Sequence, residues 1–283
     1  MTQIRSINID IIASAIKDMI FEASFTLSKE VIDKFDAMMK KETNPLALET
    51  LRVLKKNAEI AKLERLPLCQ DCGSTIVFAE IGQHTILDGG DFETAIENAV
   101  AAAYSEFYLR KSIVGDPLKR ANTGTNTPAS IHTRIVPGNG LKLSVYLKGG
   151  GSENMSTLRM FRPTDTIDSI IAFIEDRVIE AGPNPCPPLF LGIGIGGTAD
   201  IALLNSKEAL LRGIDSRHPD PFYAELEDKI TTRLNGTGVG VLGFGGNSTV
   251  AGVYIKEAPA HIASLPVALN MNCHSFRMRT REL

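Results

Sequence analysis

The spacing of apolar residues changes along this chain, and the change restricts the fold to a mixture of helices and strands. Over about residues 1–65, apolar side chains recur every three or four positions, beginning with Ile7 and Ile11, which is typical of amphipathic helices. Farther along, segments such as 131–136 alternate apolar and polar residues, which favours strands. We therefore predict an α+β fold in which a helical N-terminal part precedes mixed helices and short, mostly antiparallel sheets over about 66–283.

The same patterns predict the individual elements. Residues 131–136 and 141–147 flank Pro137–Gly140, a sequence typical of a turn, so we expect these two strands to form a hairpin. Short strands are also expected over Val239–Phe244 and Ser248–Ile255, around a glycine turn. The sequence has no evident linker or internal repeat, which favours a single domain over 1–283. The other predicted elements are strands over 75–81 and 189–195 and helices over 31–39, 46–63, 91–109, 164–181, 200–211 and 221–234.

Composition and charge exclude several classes of protein. The 283 residues are 43% hydrophobic and 22% charged, which is ordinary for a globular protein and excludes intrinsic disorder. The net charge of −3 and the lack of a dense Lys/Arg run argue against nucleic-acid or membrane partners. The first residues do not resemble a secretory signal, and Pro187–Leu204, the longest apolar region, is interrupted by Pro, Gly and Asp200. We therefore expect a cytoplasmic protein.

One glycine-rich segment resembles a nucleotide-binding motif. The segment Gly192–Gly197 matches G-x-G-x-x-G, follows a predicted strand and opens a predicted helix, as in dinucleotide-binding folds. A dinucleotide-binding unit also needs a second parallel strand directly after that helix, whereas the residues after Leu211 are typical of a loop. A nucleotide-dependent enzyme is therefore the weaker alternative.

The four cysteines call for an explanation, because disulfides are rare in a reducing compartment. Cys69 and Cys72 form a C-x-x-C pair, while Cys186 and Cys273 stand alone. A structural zinc site normally needs a second close pair. Free buried cysteines are one interpretation of each position. The other is that thiolates from three non-periodic loops converge on an iron–sulfur cluster whose fourth iron stays open as a Lewis acid.

Seven motifs spread from residue 66 to residue 273 resemble one family. They occur in that family's order, and their joint occurrence is highly specific. The chain resembles the class I, iron–sulfur fumarases and L(+)-tartrate dehydratases, in the part that forms their N-terminal domain or separate α subunit. The motifs are LPLCQDCG (66–73), RKS (110–112), NTGTNTPASIH (122–132), KGGGSEN (148–154), CPPLFLGIGIGGTAD (186–200), NGTGVGVLGFGG (235–246) and HIASLPVALNMNC (261–273).

The resemblance implies a [4Fe–4S] cluster held by Cys69, Cys186 and Cys273, with glycine-rich loops around it. Cys72 departs from the family, in which this position is often Thr. A fourth cysteine ligand would leave no open iron, so we interpret Cys72 as a bystander.

The resemblance also implies the residues that face the substrate. Gln70, Arg110 and Gly150 match substrate-binding positions, and Asp71 and His261 match positions that would orient or shuttle protons. These residue types suit a dicarboxylate, because a guanidinium binds a carboxylate bidentately and N–H groups of a glycine-rich turn bind anions.

The implied activity is that of the α subunit of a hydro-lyase that interconverts fumarate and (S)-malate. Conversion of L(+)-tartrate to oxaloacetate is the close alternative, and a non-catalytic iron–sulfur subunit is an alternative of a different class. The family places further substrate-holding groups and a proton-transferring residue in a C-terminal domain. We therefore expect a separate β subunit, an α2β2 assembly, and activity only when both subunits are present.

Overall fold

The computed structural model describes residues 4–283, which contain both helices and strands in mixed order. The predicted α+β class is confirmed. The helices are α1 (Ile9–Phe25), α2 (Lys29–Met39), α3 (Pro45–Glu64), α4 (Phe92–Glu106), α5 (Gly150–Glu153), α6 (Ile167–Ala181), α7 (Ala199–Glu208) and α8 (Pro221–Asn235). The strands are β1 (Arg5–Asn8), β2 (Ser74–Gly82), β3 (Thr85–Asp88), β4 (Ser130–Val136), β5 (Leu141–Lys148), β6 (Thr157–Phe161), β7 (Leu189–Gly196), β8 (Val250–Ala258), β9 (Leu265–Asn272) and β10 (Met278–Glu282).

The described residues fall into two compact units, each built from separate stretches of sequence. The first unit contains the chain up to Leu27, Ala58–Gly150 and Arg277–Leu283, and the second contains Ser28–Asn57 and Gly151–Phe276. The single-domain interpretation stays a prediction.

The first unit is a four-stranded sheet with the order β10-β5-β2-β4, together with the parallel pair β1-β3. Helix α1 begins where the Asn8 side chain accepts a hydrogen bond from the N–H of Asp10 at 2.8 Å, which satisfies one of the free donors of the first turn. Its apolar face, including Ile12, Ile16 and Ile20, is completely buried in the core of this unit. Burying such a side chain stabilises the fold by about 1.5–3 kcal/mol.

The predicted hairpin of residues 131–136 and 141–147 is wrong, although both strands exist. Strand β2 lies between them, parallel to β4 and antiparallel to β5. The turn after β4 instead crosses the end of β2, where Gly82 donates to the carbonyl of Gly140 and His84 to that of Gly138. Because β2 is almost entirely buried, placing it centrally buries more apolar surface than a local hairpin would.

The second unit is a sheet with the order β6-β9-β7-β8, in which β7 runs parallel to β8 and antiparallel to β9. Leu191 and Ile193 of β7 belong to a buried core with residues of α6 and α8. The alternate residues Gly192 and Gly194 lie under α7, where a Cβ would meet the carbonyl oxygens of Ser206 and Ala202, each at 1.9 Å. The first glycines of the G-x-G-x-x-G segment therefore permit close packing of a helix on the sheet.

The expected strand over Val239–Phe244 is also wrong. A short 3-10 turn over Val241–Gly243 replaces it, and only an isolated bridge joins Gly240 to Gly245. Gly240 has a φ of +67°, and a Cβ there would lie 1.6 Å from the carbonyl oxygen of Gly245. The loop folds back on itself in a way that a regular strand cannot.

Five strands were not predicted, and one of them, β1, lies in the part that we expected to be wholly helical. The others are β3, β6, β9 and β10. Within residues 4–283, four strand pairs are antiparallel and three are parallel. None of the helices formed by these residues combines the length and the hydropathy needed to cross a bilayer.

Candidate active site

Three segments that flank strands β2, β5 and β10 meet at one end of the sheet in the first unit, and they position Asp71. Strands β2 and β5 are antiparallel, with Ser74 opposite Lys148, so the loop before β2 lies beside the glycines that follow β5. Strand β10 pairs with the end of β5, and Leu147 donates to the carbonyl of Arg277 at 3.0 Å. Residues 69–73, the glycine turn at 149–150 and Arg277 are therefore neighbours.

Asp71 is held by hydrogen bonds at its carboxylate and at its main chain. Its Oδ1 accepts from the N–H of Gly73 at 3.0 Å, and its Oδ2 accepts from the N–H of Gly150 at 2.7 Å. Its main-chain carbonyl accepts from Nη1 of Arg277 at 2.6 Å. The half-buried carboxylate thus has one orientation before any ligand arrives.

Gly150 makes a contact that the sequence did not predict. We expected its N–H to face a substrate carboxylate, but in this structure that N–H donates to Asp71. Gly149 permits the same approach, because a Cβ there would lie 3.2 Å from Oδ2 of Asp71. The glycine turn therefore fixes the carboxylate of Asp71.

Cys72 and Arg110 are joined inside the first unit. The buried sulfur of Cys72 accepts a hydrogen bond from the main-chain N–H of Arg110 at 3.1 Å, and its thiol lies 3.8 Å from the carbonyl of Cys69. Burial raises the pKa of the Cys72 thiol, against smaller lowering effects from the N–H of Arg110 and the charge of Arg277. Arg110 itself is exposed, which leaves its guanidinium accessible to a ligand.

Tyr104 and Asn126 support the loop at residues 69–73. The hydroxyl of Tyr104 lies 3.0 Å from both the Cys72 and the Gly73 carbonyl oxygens, and Nδ2 of Asn126 donates to the Gly73 carbonyl at 3.1 Å. Burial raises the pKa of Tyr104 to about 12, so its hydroxyl stays a donor at neutral pH. Sequence reasoning missed both roles. Asn126 lies within the NTGTNTPASIH motif, whereas Tyr104 gave no signal beyond its place in a predicted helix.

Cys69 and Gln70 are the more accessible residues of the same loop. Cys69 is half-buried, and its sulfur lies 3.5 Å from Oε1 of Gln70, which is exposed. The structure therefore brings Cys69, Gln70, Asp71 and Gly150 together within the first unit.

In the second unit the structure brings the loops of Cys186 and Cys273 together. Phe190 of β7 lies opposite Asn272 of β9, so the residues before β7 and after β9 share one edge of the sheet. His274 confirms this placement, because its main-chain N–H and its Nδ1 donate to the carbonyl of Cys186 at 3.2 and 3.1 Å. Cys186 is exposed and Cys273 is half-buried, with its sulfur 3.2 Å from Oγ of Ser275.

His261 belongs to a separate feature of the second unit. It is exposed after β8, and its Nδ1 accepts from the N–H of Ala263 at 3.1 Å. The neutral ring therefore carries its proton on Nε2. His261 lines a cleft of about 540 Å³ with Gly197 and Thr198, among others, so the last glycine of the G-x-G-x-x-G segment lies near this histidine.

Among residues 4–283, no three His, Cys, Asp or Glu side chains lie close enough together to hold one ion.

Comparison with known proteins assigns the chain to a family. The family described as "Fumarate hydratase (Fumerase)" matches residues 13–282. The "Putative L(+)-tartrate dehydratase subunit alpha" of Methanocaldococcus jannaschii is 36% identical over 280 residues, which cover 96% of this chain and 97% of that protein. The "L(+)-tartrate dehydratase subunit alpha" of Escherichia coli K12 is 30% identical over 261 residues, which cover 91% of this chain and 86% of that protein. The resemblance seen in the sequence is confirmed, and the chain belongs to the fumarate hydratase family.

Proposed function

We propose that this chain is the α subunit of an iron–sulfur hydro-lyase that reversibly hydrates fumarate to (S)-malate. Membership of the fumarate hydratase family supports a lyase of this class. The observation that carries the proposal is the arrangement of the loop at residues 69–73. There Cys69, a cysteine of the implied cluster, is followed by Gln70 and then by Asp71, whose carboxylate is held by two main-chain N–H groups.

The cysteine environments fit a three-cysteine cluster. Cys186 is exposed and Cys69 and Cys273 are half-buried in loops, whereas Cys72 is buried and its sulfur accepts a main-chain hydrogen bond. Thiolates are the ligands that iron–sulfur clusters require. Cys69, Cys186 and Cys273 would therefore hold a [4Fe–4S] cluster, with Cys72 as a bystander.

The residues of the chain have distinct tasks in this proposal. When bound, the cluster supplies an open iron that acts as a Lewis acid toward the substrate hydroxyl. Asp71 orients or shuttles a proton at that hydroxyl, because the N–H groups of Gly73 and Gly150 already orient its carboxylate. His261 offers a donor at Nε2, because its Nδ1 is occupied.

Substrate binding falls to exposed polar groups. Arg110 binds one carboxylate of the dicarboxylate bidentately, and the amide of Gln70 donates to the same substrate. In this proposal the N–H of Gly150 has one of two tasks. It keeps its hydrogen bond to Asp71 and so orients that carboxylate toward the substrate, or it leaves Asp71 and donates to a substrate carboxylate instead.

A β subunit completes the site and supplies the base that handles the C–H proton. Relatives of this chain are named as alpha subunits, which supports a separate partner chain. We propose an α2β2 assembly acting in the cytoplasm, a reducing compartment in which cysteine thiols and an iron–sulfur cluster persist.

Conversion of L(+)-tartrate to oxaloacetate is the second candidate. It is favoured by the names of the relatives, which are L(+)-tartrate dehydratase subunits. The two reactions differ in one substrate hydroxyl, so the same cluster and the same Asp71 serve either one.

The test is anaerobic purification of the chain together with a β-type partner, followed by assays with fumarate, (S)-malate and L(+)-tartrate. We expect a brown complex containing iron and sulfide, with a higher kcat/KM for fumarate and malate than for tartrate. A higher kcat/KM for tartrate would establish the second candidate instead. An iron-containing complex that is inactive on all three would indicate a non-catalytic subunit, and a colourless protein that binds nucleotide would overturn both.

A further inference from the structure

Arg277 is a buried cation that forms no ion pair with any of residues 4–283. Arg277 is only 3% exposed. Nη1 donates to the carbonyl of Asp71, but the buried Nε has no hydrogen-bond partner, and within residues 4–283 Arg277 forms no ion pair. Burying a guanidinium without a carboxylate partner is costly. The contacts of Arg277 show what this buried charge is placed to hold.

The guanidinium and the carboxylate of Asp71 flank the same glycine. A Cβ on Gly149 would lie 3.2 Å from Oδ2 of Asp71 and 3.3 Å from Nη2 of Arg277. A side chain at Gly149 would crowd both groups. Arg277 is itself anchored, because its carbonyl accepts from the N–H of Leu147 on β5.

We propose that Arg277 is a positioning residue that holds Asp71 in place through its main chain, and this inference rests on the role of Asp71 in the proposed function. A charge-assisted hydrogen bond to a carbonyl is among the stronger ones that a protein makes. It fixes the peptide of Asp71, and the fixed peptide lets the carboxylate reach Gly73 and Gly150 together.

Arg279 provides a matched control two residues farther along, within β10. It also donates to main-chain carbonyls, those of Glu22 and Thr26, which lie at the end of α1 rather than beside Asp71. A general loss of strand or helix anchoring would affect both arginines. A specific effect on Asp71 would follow only from Arg277.

The direct readout is amide hydrogen exchange at Gly73 and Gly150 in the full chain, because these two N–H groups bond to the carboxylate of Asp71. In Arg277→Met we expect both amides to exchange at least about tenfold faster, and in Arg277→Lys we expect partial recovery, since lysine keeps the charge but loses the planar donor. Arg279→Met should accelerate exchange near Thr26 and leave Gly73 and Gly150 unchanged. Unchanged exchange at both glycines in Arg277→Met would overturn the proposal.

Kinetics of the complex with the β-type partner give the second readout. Displacement of Asp71 should lower kcat about ten- to a hundredfold with a smaller change in KM, and Arg277→Lys should restore part of kcat. If Arg277→Met does not fold, Arg277→Lys decides: wild-type exchange at both glycines together with wild-type kcat would overturn the proposal. If the wild-type complex is inactive on every dicarboxylate, the proposed function fails, while the exchange measurement still tests whether Arg277 positions Asp71.

Discussion

At the scale of single residues, two neighbouring cysteines have opposite environments. Cys69 is half-buried in the loop before β2, while the sulfur of Cys72 is buried and accepts the N–H of Arg110. The C-x-x-C spacing alone does not indicate which of the two cysteines is a ligand. Their surroundings favour the predicted assignment of Cys69 as the ligand and Cys72 as a bystander, which stays a prediction.

The two cysteine roles predict different outcomes for two serine variants. Cys186→Ser should abolish cluster binding, because a neutral hydroxyl is a poor ligand for iron. Cys72→Ser should retain most of the iron, since a hydroxyl can still accept the hydrogen bond from Arg110. Iron and acid-labile sulfide per chain, measured after anaerobic reconstitution, distinguish the two variants. Equal loss in both would make Cys72 a ligand.

Sequence reasoning predicted site residues of reactive types but missed the residues that hold the loop around Asp71 in place. Cysteines, a histidine and an aspartate beside a cysteine are recognisable by type. Tyr104, Asn126 and Arg277 act through bonds to main-chain carbonyls of residues 71–73. Such bonds depend on which strand ends lie side by side in the sheet. The local sequence around Arg277 does not indicate this pairing.

At the scale of elements, the glycine-rich loop at residues 238–246 supports the turn that carries Cys186. The N–H of Leu242 donates to the carbonyl of Pro187 at 2.9 Å, and a Cβ on Gly243 would lie 2.8 Å from Cβ of Pro183. The buried carboxylate of Glu42 holds the far end of this loop through the N–H of Asn247. Glu42 therefore stabilises the Cys186 turn from a distance.

Glu42→Ala should loosen the Cys186 turn. It removes an acceptor for the N–H groups of Thr43, Asn44 and Asn247, so the glycine-rich loop loses its anchor. We expect the reconstituted variant to release iron to a chelator several times faster than wild type.

Glu227→Gln is the control for Glu42→Ala. Glu227 is equally buried in the second unit, but it bonds to Arg212 and to the N–H of Ile255. This variant should lower stability without faster iron release. If both variants release iron alike, the effect reflects general destabilisation and Glu42 has no specific role.

Helix α7 packs so closely on β7 that Gly192 and Gly194 of β7 leave no space for a side chain. A Cβ on Gly192 would lie 1.9 Å from the carbonyl oxygen of Ser206, so Gly192→Ala should lower the free energy of unfolding by about 1–3 kcal/mol or more. Gly140→Ala is the control, because a Cβ there meets no atom within 4 Å. Urea unfolding midpoints check both variants, and a midpoint for Gly192→Ala as high as that of the control would contradict the packing account.

Periodicity predicted most helices and the strands β2, β4, β5, β7 and β8, but it could not predict which strands pair. Residues 131–136 and 141–147 are adjacent in sequence and separated by a turn, yet β2 lies between them. The glycine-rich segment 239–244 contains apolar residues at alternate positions, yet its glycines adopt left-handed conformations that end the strand. In both cases tertiary packing outweighs the local pattern.

At the scale of the whole molecule, the order of strands explains how positions that are distant in sequence become neighbours within each unit. The register that puts Phe190 opposite Asn272 joins the loops of Cys186 and Cys273, which are 87 residues apart in sequence. In the first unit, the pairing of β2 and β10 with β5 joins residues 71, 150 and 277. The family resemblance predicted Asp71, Gly150, Cys186 and Cys273 as site residues but not Arg277, while the strand register supplies the physical reason for their proximity within each unit.

The central claim is that this chain carries the cluster and part of an active site that a β subunit completes. The most direct test reconstitutes the cluster anaerobically in the purified chain and follows fumarate absorbance with and without the β-type partner. General acid–base catalysis at carbon contributes typically about 10²–10⁴-fold, and we assign that base to the partner. We therefore predict no measurable turnover by the chain alone and full turnover after the partner is added. Full turnover by the chain alone would contradict the account and would assign the base to a residue such as Asp71 or His261.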